Sequence, residues 1–214
     1  MVTIDMGESE SVETVYQRLQ DGIYPLNERG VAFLLGYHLL SDSYVQVSFE
    51  FRWTGPLEVS FSPDVDVLCF GEHPVGYEVK GLQGDADQIS NQQLYKGIGQ
   101  AIALLNQPSN ANGGVLKETH LALPTCENGL DEYQQTVTEA VRQTPIGLVT
   151  VTTGGYQVQV EPAENTVYRP ELQENAVKHL KSQATGTDTR HPENGLLSLA
   201  LELIEDHGDQ QLLL

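Results

Sequence analysis

The stretch that most limits what this chain can fold into is Ser62–Phe70 followed by Gly76–Gly81, two short apolar runs in which charged residues recur at every second position. A strand turns alternate side chains to opposite faces. Asp64 and Asp66 therefore share one face of the first run and Glu78 and Lys80 share one face of the second, while Val65, Val67, Tyr77 and Val79 point the other way. The intervening Gly71–Pro74 has room only for a turn, so a meander sets the two charged faces side by side. Carboxylates held this close raise one another's pKa unless a cation neutralises them, and hard oxygen donors favour Mg²⁺ or Mn²⁺ over Zn²⁺. The simpler alternative is an exposed sheet face with Lys80 paired to a neighbouring carboxylate. Both runs are otherwise apolar, however, and read as central strands, where unpaired charge is costly.

The elements around this pair follow from periodicity. Val12, Val15, Tyr16 and Leu19 mark an amphipathic helix ending near Gly22, and Asn27 can cap a second helix whose run Val31–Leu40 is almost wholly apolar. Tyr44–Trp53 alternates as a strand that Thr54-Gly-Pro56 terminates; with Val65–Phe70 and Val75–Gly81 it makes three strands in antiparallel order. A polar loop, Gly84–Ser90, leads to a helix over Asn91–Leu105, and after the loop Asn106–Gly114 the segment His120–Pro124 is a strand. Strand, helix, strand implies a right-handed crossover to a parallel neighbour. A helix over Asp131–Arg142, a hairpin of Ile146–Thr152 with Tyr156–Val160 around Gly154-Gly155, and helices over Glu171–Ser182 and Leu196–His207 complete the chain. The expected class is α/β, a mixed sheet with a core of helix, three-strand meander, helix and strand, plus a C-terminal hairpin and helices. Residues 1–165 form the main domain and 166–214 a helical appendage, with a mobile linker at Ala184–Asn194.

A length of 214 residues suits one main domain, and no apolar run approaches the roughly 20 residues of a membrane span. The acidic, polar start at Met1–Glu10 lacks the pattern of a secretory signal, so a cytoplasmic location and no membrane partner are expected. Thirty acidic against 11 basic residues give a formal net charge of −19. Self-repulsion on that scale is tolerable where molar salt shortens the screening length to about 3 Å, which points to a halophilic cytoplasm. The same charge counts against a broad cationic groove for nucleic acid. Cys69 and Cys126 stand alone, and the six histidines show no ligand-like spacing, so zinc and disulfide chemistry are not expected.

Two further polar features flank the charged strands. Glu28 opens the apolar helix, as a first-turn glutamate favoured by the helix dipole or as a carboxylate turned toward the site. Gln93, Lys96 and Gln100 recur at i, i+3 and i+7 on an otherwise apolar helix, a stripe that suits either a solvated face or the lining of a phosphate-binding cleft.

Pro63-Asp64, Glu78-Val79-Lys80, Asn27-Glu28-Arg29 and Gln92–Gln100 together resemble the PD-(D/E)XK nuclease superfamily, which includes restriction endonucleases and archaeal Holliday-junction resolvases; the resemblance spans Asn27–Leu105. It implies a restriction-endonuclease-like sheet and Mg²⁺ or Mn²⁺ bound by an aspartate and Glu78, with Glu28 contributing directly or through water. Lys80 would orient or activate the attacking water. The implied reaction is hydrolysis of DNA phosphodiester bonds in repair or defence, leaving 5′-phosphate ends, with Gln93, Lys96 and Gln100 as substrate contacts. Two aspartates compete for the one family position, and Asp64, which follows the proline, is preferred over Asp66. The expected partners are DNA and either a second copy of the chain, as in nucleases that cut both strands, or a protein partner; the alternative functions are a catalytically inactive nuclease-fold scaffold acting with a protein partner, and an unrelated α/β domain whose charges form only salt bridges.

Overall fold

The computed structural model describes residues 6–42, 46–52, 64–83, 89–105, 116–124, 130–162 and 192–208. Among these, five helices pack on a six-stranded mixed open sheet. The elements are α1 (Met6–Gln20), α2 (Glu28–Ser41), β1 (Gln46–Arg52), β2 (Asp64–Phe70), β3 (Pro74–Val79), α3 (Asn91–Leu105), β4 (Glu118–Pro124), α4 (Leu130–Arg142), β5 (Gly147–Thr152), β6 (Gly155–Val160) and α5 (Pro192–Asp206). The predicted helix at Glu171–Ser182, most of the expected linker at Ala184–Asn194 and the C-terminal Gln210–Leu214 lie outside the described residues. Helix α5 begins earlier than its apolar periodicity indicates, with Pro192 at its first position, where a missing N–H costs nothing.

Strand order equals chain order. The β1-β2-β3 meander is antiparallel, β3-β4 and β4-β5 are parallel, and β5-β6 is the expected antiparallel hairpin. The two parallel joints follow from α3 and α4, which carry the chain back across the sheet before the next strand starts. No described helix is long and apolar enough to cross a membrane.

Period-2 alternation sorts the strand residues into two cores. Val47, Val67, Cys69, Tyr77, Val79, Ala122, Val149 and Val151 pack under α1, α2 and α5 through residues such as Leu19, Phe33, Leu34, Leu39, Leu203 and Ile204. Leu121, Leu123 and Leu148 face Leu94, Ala101, Val137 and Val141 of α3 and α4. Burying a Leu or Phe side chain contributes about 1.5–3 kcal/mol, so each face supplies a large part of the drive to fold. Helix α2 runs apolar all round because it lies between the sheet and the other two helices: Gly30–Gly36 is buried without a break. Gly36 lets α2 approach β1, since a Cβ there would sit 2.3 Å from Phe49 Cζ. Helix α1 ends on Gly22, whose φ of 67° suits the left-handed position of a helix stop. There Ile23 N–H reaches Arg18 O at 2.9 Å and Gly22 N–H reaches Leu19 O at 3.2 Å.

Candidate active site

The site forms where β2 and β3 part. Their ladder pairs Phe70 with Pro74 through to Val67 with Tyr77 and stops there. The next residues in register are Asp66 and Glu78. Val79 N–H, left without a backbone acceptor on that side, instead donates to Asp66 Oδ2 at 2.7 Å. On the other edge β3 stays zipped to β4, with Lys80 N–H donating to Ala122 O at 3.0 Å. The opening therefore lies between β2 and β3 at the C-terminal end of a strand that is parallel to its other neighbour. Open α/β sheets commonly hold their ligands at such strand ends.

Just beyond Lys80 the chain is pressed against the start of α2. A Cβ on Gly81 would lie 2.1 Å from Asn27 C and 2.2 Å from Glu28 N, so only glycine passes. Leu82 N–H then donates to Leu26 O at 2.8 Å and ties the two segments together. Asn27 caps α2, its Oδ1 accepting from Gly30 N–H at 2.9 Å, and that cap places Glu28 over the end of β3.

The four charges meet here. Lys80 Nζ donates to Glu78 Oε1 at 2.6 Å and to Val79 O at 2.8 Å, and stands 3.4 Å from Glu28 Oε1. Glu78 and Lys80 are both buried, at 1% and 4% exposure, whereas Glu28 lies at the rim with its side chain 56% exposed. The lysine stem rests in a notch of α3: a Cβ on Gly97 would be 3.0 Å from Lys80 Cγ and 2.8 Å from Leu121 Cδ1.

Electrostatics follow from this packing. Burial pushes the Glu78 carboxyl up to about 7, with the charge of Asp66 adding to the rise and that of Lys80 opposing it. Loss of solvent pulls Lys80 down, but the charges of Glu78, Asp66 and Glu28 and the hydrogen bond to Glu78 outweigh it and hold the ammonium above its ordinary range. Lys80 thus keeps its proton at neutral pH and acts here as a donor and a charge.

Of the residues singled out in the sequence, Asp66, Glu78, Lys80 and Glu28 come together. Asp64 is exposed at the start of β2, in register with Arg52 of β1, and the charge of Asp66 bears on Glu78. Register sets Asp66 opposite Glu78 where the ladder opens, whereas the preference for Asp64 rests on its proline neighbour.

The polar stripe of α3 lies one turn to either side of the Gly97 notch. Ser90 caps that helix: its N–H and its hydroxyl both donate to Gln93 Oε1, each at 3.2 Å, and Gln93 N–H donates to Ser90 Oγ at 3.3 Å. Gln93 is thereby half of a capping box, and its buried Nε2 is left without a hydrogen-bond partner, as is the buried Oε1 of Gln100. Lys96 is exposed. Sequence reasoning missed Gly81 and Gly97, which shape the site by absence of a side chain. The available signal was a glycine directly after the lysine and another inside a helical pattern, where glycine is otherwise unfavourable.

Among the described residues no three Asp, Glu, His or Cys side chains gather closely enough to hold a metal ion between them. Mg²⁺ needs fewer protein ligands than that, since it is commonly bound through one or two carboxylates and keeps several waters. The donor set of Asp66 and Glu78, both hard carboxylates with Glu78 destabilised by its neighbour's charge, fits such an ion. Comparison with protein-family models, with curated proteins and with solved structures yields no match.

Proposed function

We propose that this chain is a Mg²⁺- or Mn²⁺-dependent nuclease of the PD-(D/E)XK type, with a restriction-endonuclease-like fold, that hydrolyses DNA phosphodiester bonds. The observation that carries the reading is the convergence on Lys80 of Glu78 at 2.6 Å and Glu28 at 3.4 Å, with Asp66 bonded to the Val79 N–H between them. Three carboxylates against one ammonium leave a net charge of −2 when all are ionised, the complement of one divalent cation. The element order from α2 through the meander to α3 and β4 supports the same reading.

Asp66 and Glu78 would hold the ion, and Glu28 would reach it through water. When bound, it would supply an acidified water and a counter-charge for the pentavalent phosphorus. Lys80, protonated and fixed by Glu78 and the Gly97 notch, would offer its remaining charge to the phosphate or to the attacking water, orienting rather than deprotonating it. Gln93 and Gln100 would contribute amide contacts on one flank and Lys96 a charge at the rim. Sparse basic residues fit a protein from a high-salt cytoplasm, where phosphate charge is already screened and direct hydrogen bonds carry more of the affinity.

The test is cleavage of plasmid, linear duplex, branched and single-stranded DNA in molar KCl with Mg²⁺ or Mn²⁺, comparing wild type with Glu78→Ala and Lys80→Ala. Cleavage by wild type alone supports the nuclease. Mn²⁺ binding by calorimetry with no cleavage of any substrate favours a scaffold that acts with a protein partner, and absence of both removes the metal site.

A further inference from the structure

Helix α3 lies in the longest stretch of this chain without an acidic residue. From Gln88 to Lys117 there is no Asp or Glu, although the whole sequence has 30. Helices α1, α2, α4 and α5 each carry acidic residues; α3 carries none and presents Lys96. On a molecule of formal net charge −19, a polyanion meets least repulsion along such a segment.

The outer face of α3 holds Tyr95, at 68% the most exposed large apolar side chain among the described residues. Gly97, two positions on, packs on the Lys80 stem, and two steps along a helix turn a side chain through about 200°, so the Tyr95 ring stands on the solvent side. One turn further, Gly99 is also exposed, and a Cβ there would meet nothing within 4 Å. Helical side chains lean toward the N-terminus, so position 99 is the one that would cover the Tyr95 ring. Glycine in an exposed helix interior is unfavourable relative to alanine, and no close packing requires it here. Its effect is to leave a face of the ring bare. At about 100° per residue, Gln92, Lys96 and Gln93 follow one another round the helix from Tyr95 to the Gly97 notch. They line a path about 10 Å across, one helix diameter, with amide and ammonium donors.

A bare aromatic face can stack on a base only where that base is not already sandwiched in a duplex. We propose, building on the nuclease reading above, that Tyr95 is a base-stacking residue and that the substrate class is DNA with unpaired bases, its strand passing from Tyr95 round α3 to Lys80. Stacking of a neutral ring on a base is not screened by ions, so it holds in molar salt where phosphate contacts weaken.

Fluorescence anisotropy of a labelled mixed-sequence single strand and of its duplex, in molar KCl with EDTA so that neither is cut, tests this on the full chain and on Tyr95→Ala, Tyr95→Phe and Gly99→Leu. Wild type is expected to bind the single strand roughly tenfold more tightly than the duplex. Tyr95→Ala should lose about tenfold on the single strand and Tyr95→Phe little; Gly99→Leu, which covers the ring and leaves it in place, should match Tyr95→Ala. None of the three should lower the thermal midpoint, since both positions are exposed and leucine favours a helix. With Mg²⁺ present, Tyr95→Ala should raise KM for single-strand cleavage and keep kcat within about threefold. Single-strand affinity, or KM where cleavage is the readout, that Tyr95→Ala and Gly99→Leu leave unchanged overturns the stacking role, while cleavage that still requires Glu78 leaves the nuclease standing. Tighter binding of the duplex overturns the substrate class. Self-association lost in Tyr95→Ala with DNA binding intact overturns the proposal in favour of a contact between copies. Wild type that neither binds nor cuts any DNA overturns both readings.

Discussion

Strands β3 and β4 bury polar side chains at two places, and the two have different fates. Near the start of β4, His120 is 5% exposed and stacks on Tyr77 with ring centroids 5.2 Å apart. Its Nε2 is 3.5 Å from Glu118 Oε2, and Gly147 beneath it is packed so closely that a Cβ there would lie 2.2 Å from His120 Nδ1. Next to it the Thr119 hydroxyl donates to Ala101 O at 2.9 Å. At the other end of β3, Glu78 and Lys80 are as deeply buried, but the β2-β3 ladder has opened and two more carboxylates converge from β2 and α2. The first place is a filled core around an imidazole. The second concentrates like charge at a strand end, where burial raises a carboxyl, and it is there that the proposed cation would bind. Burial of a polar residue alone does not single out a candidate site; convergence of like charges on a buried carboxyl does.

The sharpest way to break this contrast is to empty each place in turn. Glu78→Ala and Lys80→Ala should each lower cleavage by about 1000-fold, while His120→Phe should leave it within about threefold of wild type. An equal loss from His120→Phe in a folded protein would make the two places one functional unit.

Backbone packing separates them next. Gly81→Ala forces a Cβ into the backbone of Asn27 and Glu28 and should destabilise the fold by about 3 kcal/mol or more. Gly147→Ala meets chiefly the His120 ring and should cost about 1–3 kcal/mol. Urea unfolding should show His120→Ala restoring much of the second loss, whereas Glu28→Ala restores none of the first, because the obstacle at Gly81 is main chain.

Within the charged end, the two aspartates can be told apart by experiment, and register favours Asp66. Asp66→Asn should lower cleavage about 100-fold and weaken Mn²⁺ binding, and Asp64→Asn should change either by no more than about threefold. The reverse pattern would place the metal nearer the exposed end of β2.

The smallest effect is on stability against pH without metal. Glu78 has a folded-state pKa of about 7 against an ordinary 4.5, so the folded state holds its proton more tightly and this contribution is present below pH 4.5 and lost as pH rises toward 7. Wild type should therefore lose on the order of 2 kcal/mol relative to Glu78→Gln between those limits, read as the difference between their urea midpoints in EDTA. Parallel curves would mean that Lys80 compensates the buried charge fully.

Much of the architecture was legible in particular residues. The alternation in Asp64–Phe70 and Gly76–Lys80 indicated paired strands, the run Val31–Leu40 a buried helix, and Gly154-Gly155 a hairpin turn. Asp64 and Asp66 were another matter. They share a face, and local pattern cannot choose between them, because the choice depends on where the β2-β3 ladder ends. Gln93 read either as part of a solvated helix face or as cleft lining; its Oε1 is used in a capping box with Ser90, so one side chain combines a local role with an unpaired amide end.

The sequence by itself determined the strand and helix alternation, the pairing of the charged residues on common faces, and the acidic surface, since each depends on side-chain spacing or composition along a short stretch. Tertiary structure alone decided that Glu28 reaches Lys80, that Asp66 rather than Asp64 stands opposite Glu78, and that Gly81 and Gly97 close the walls. Those are contacts between segments far apart in the chain, set by register and by how near two backbones can approach, and neither quantity is written in local periodicity.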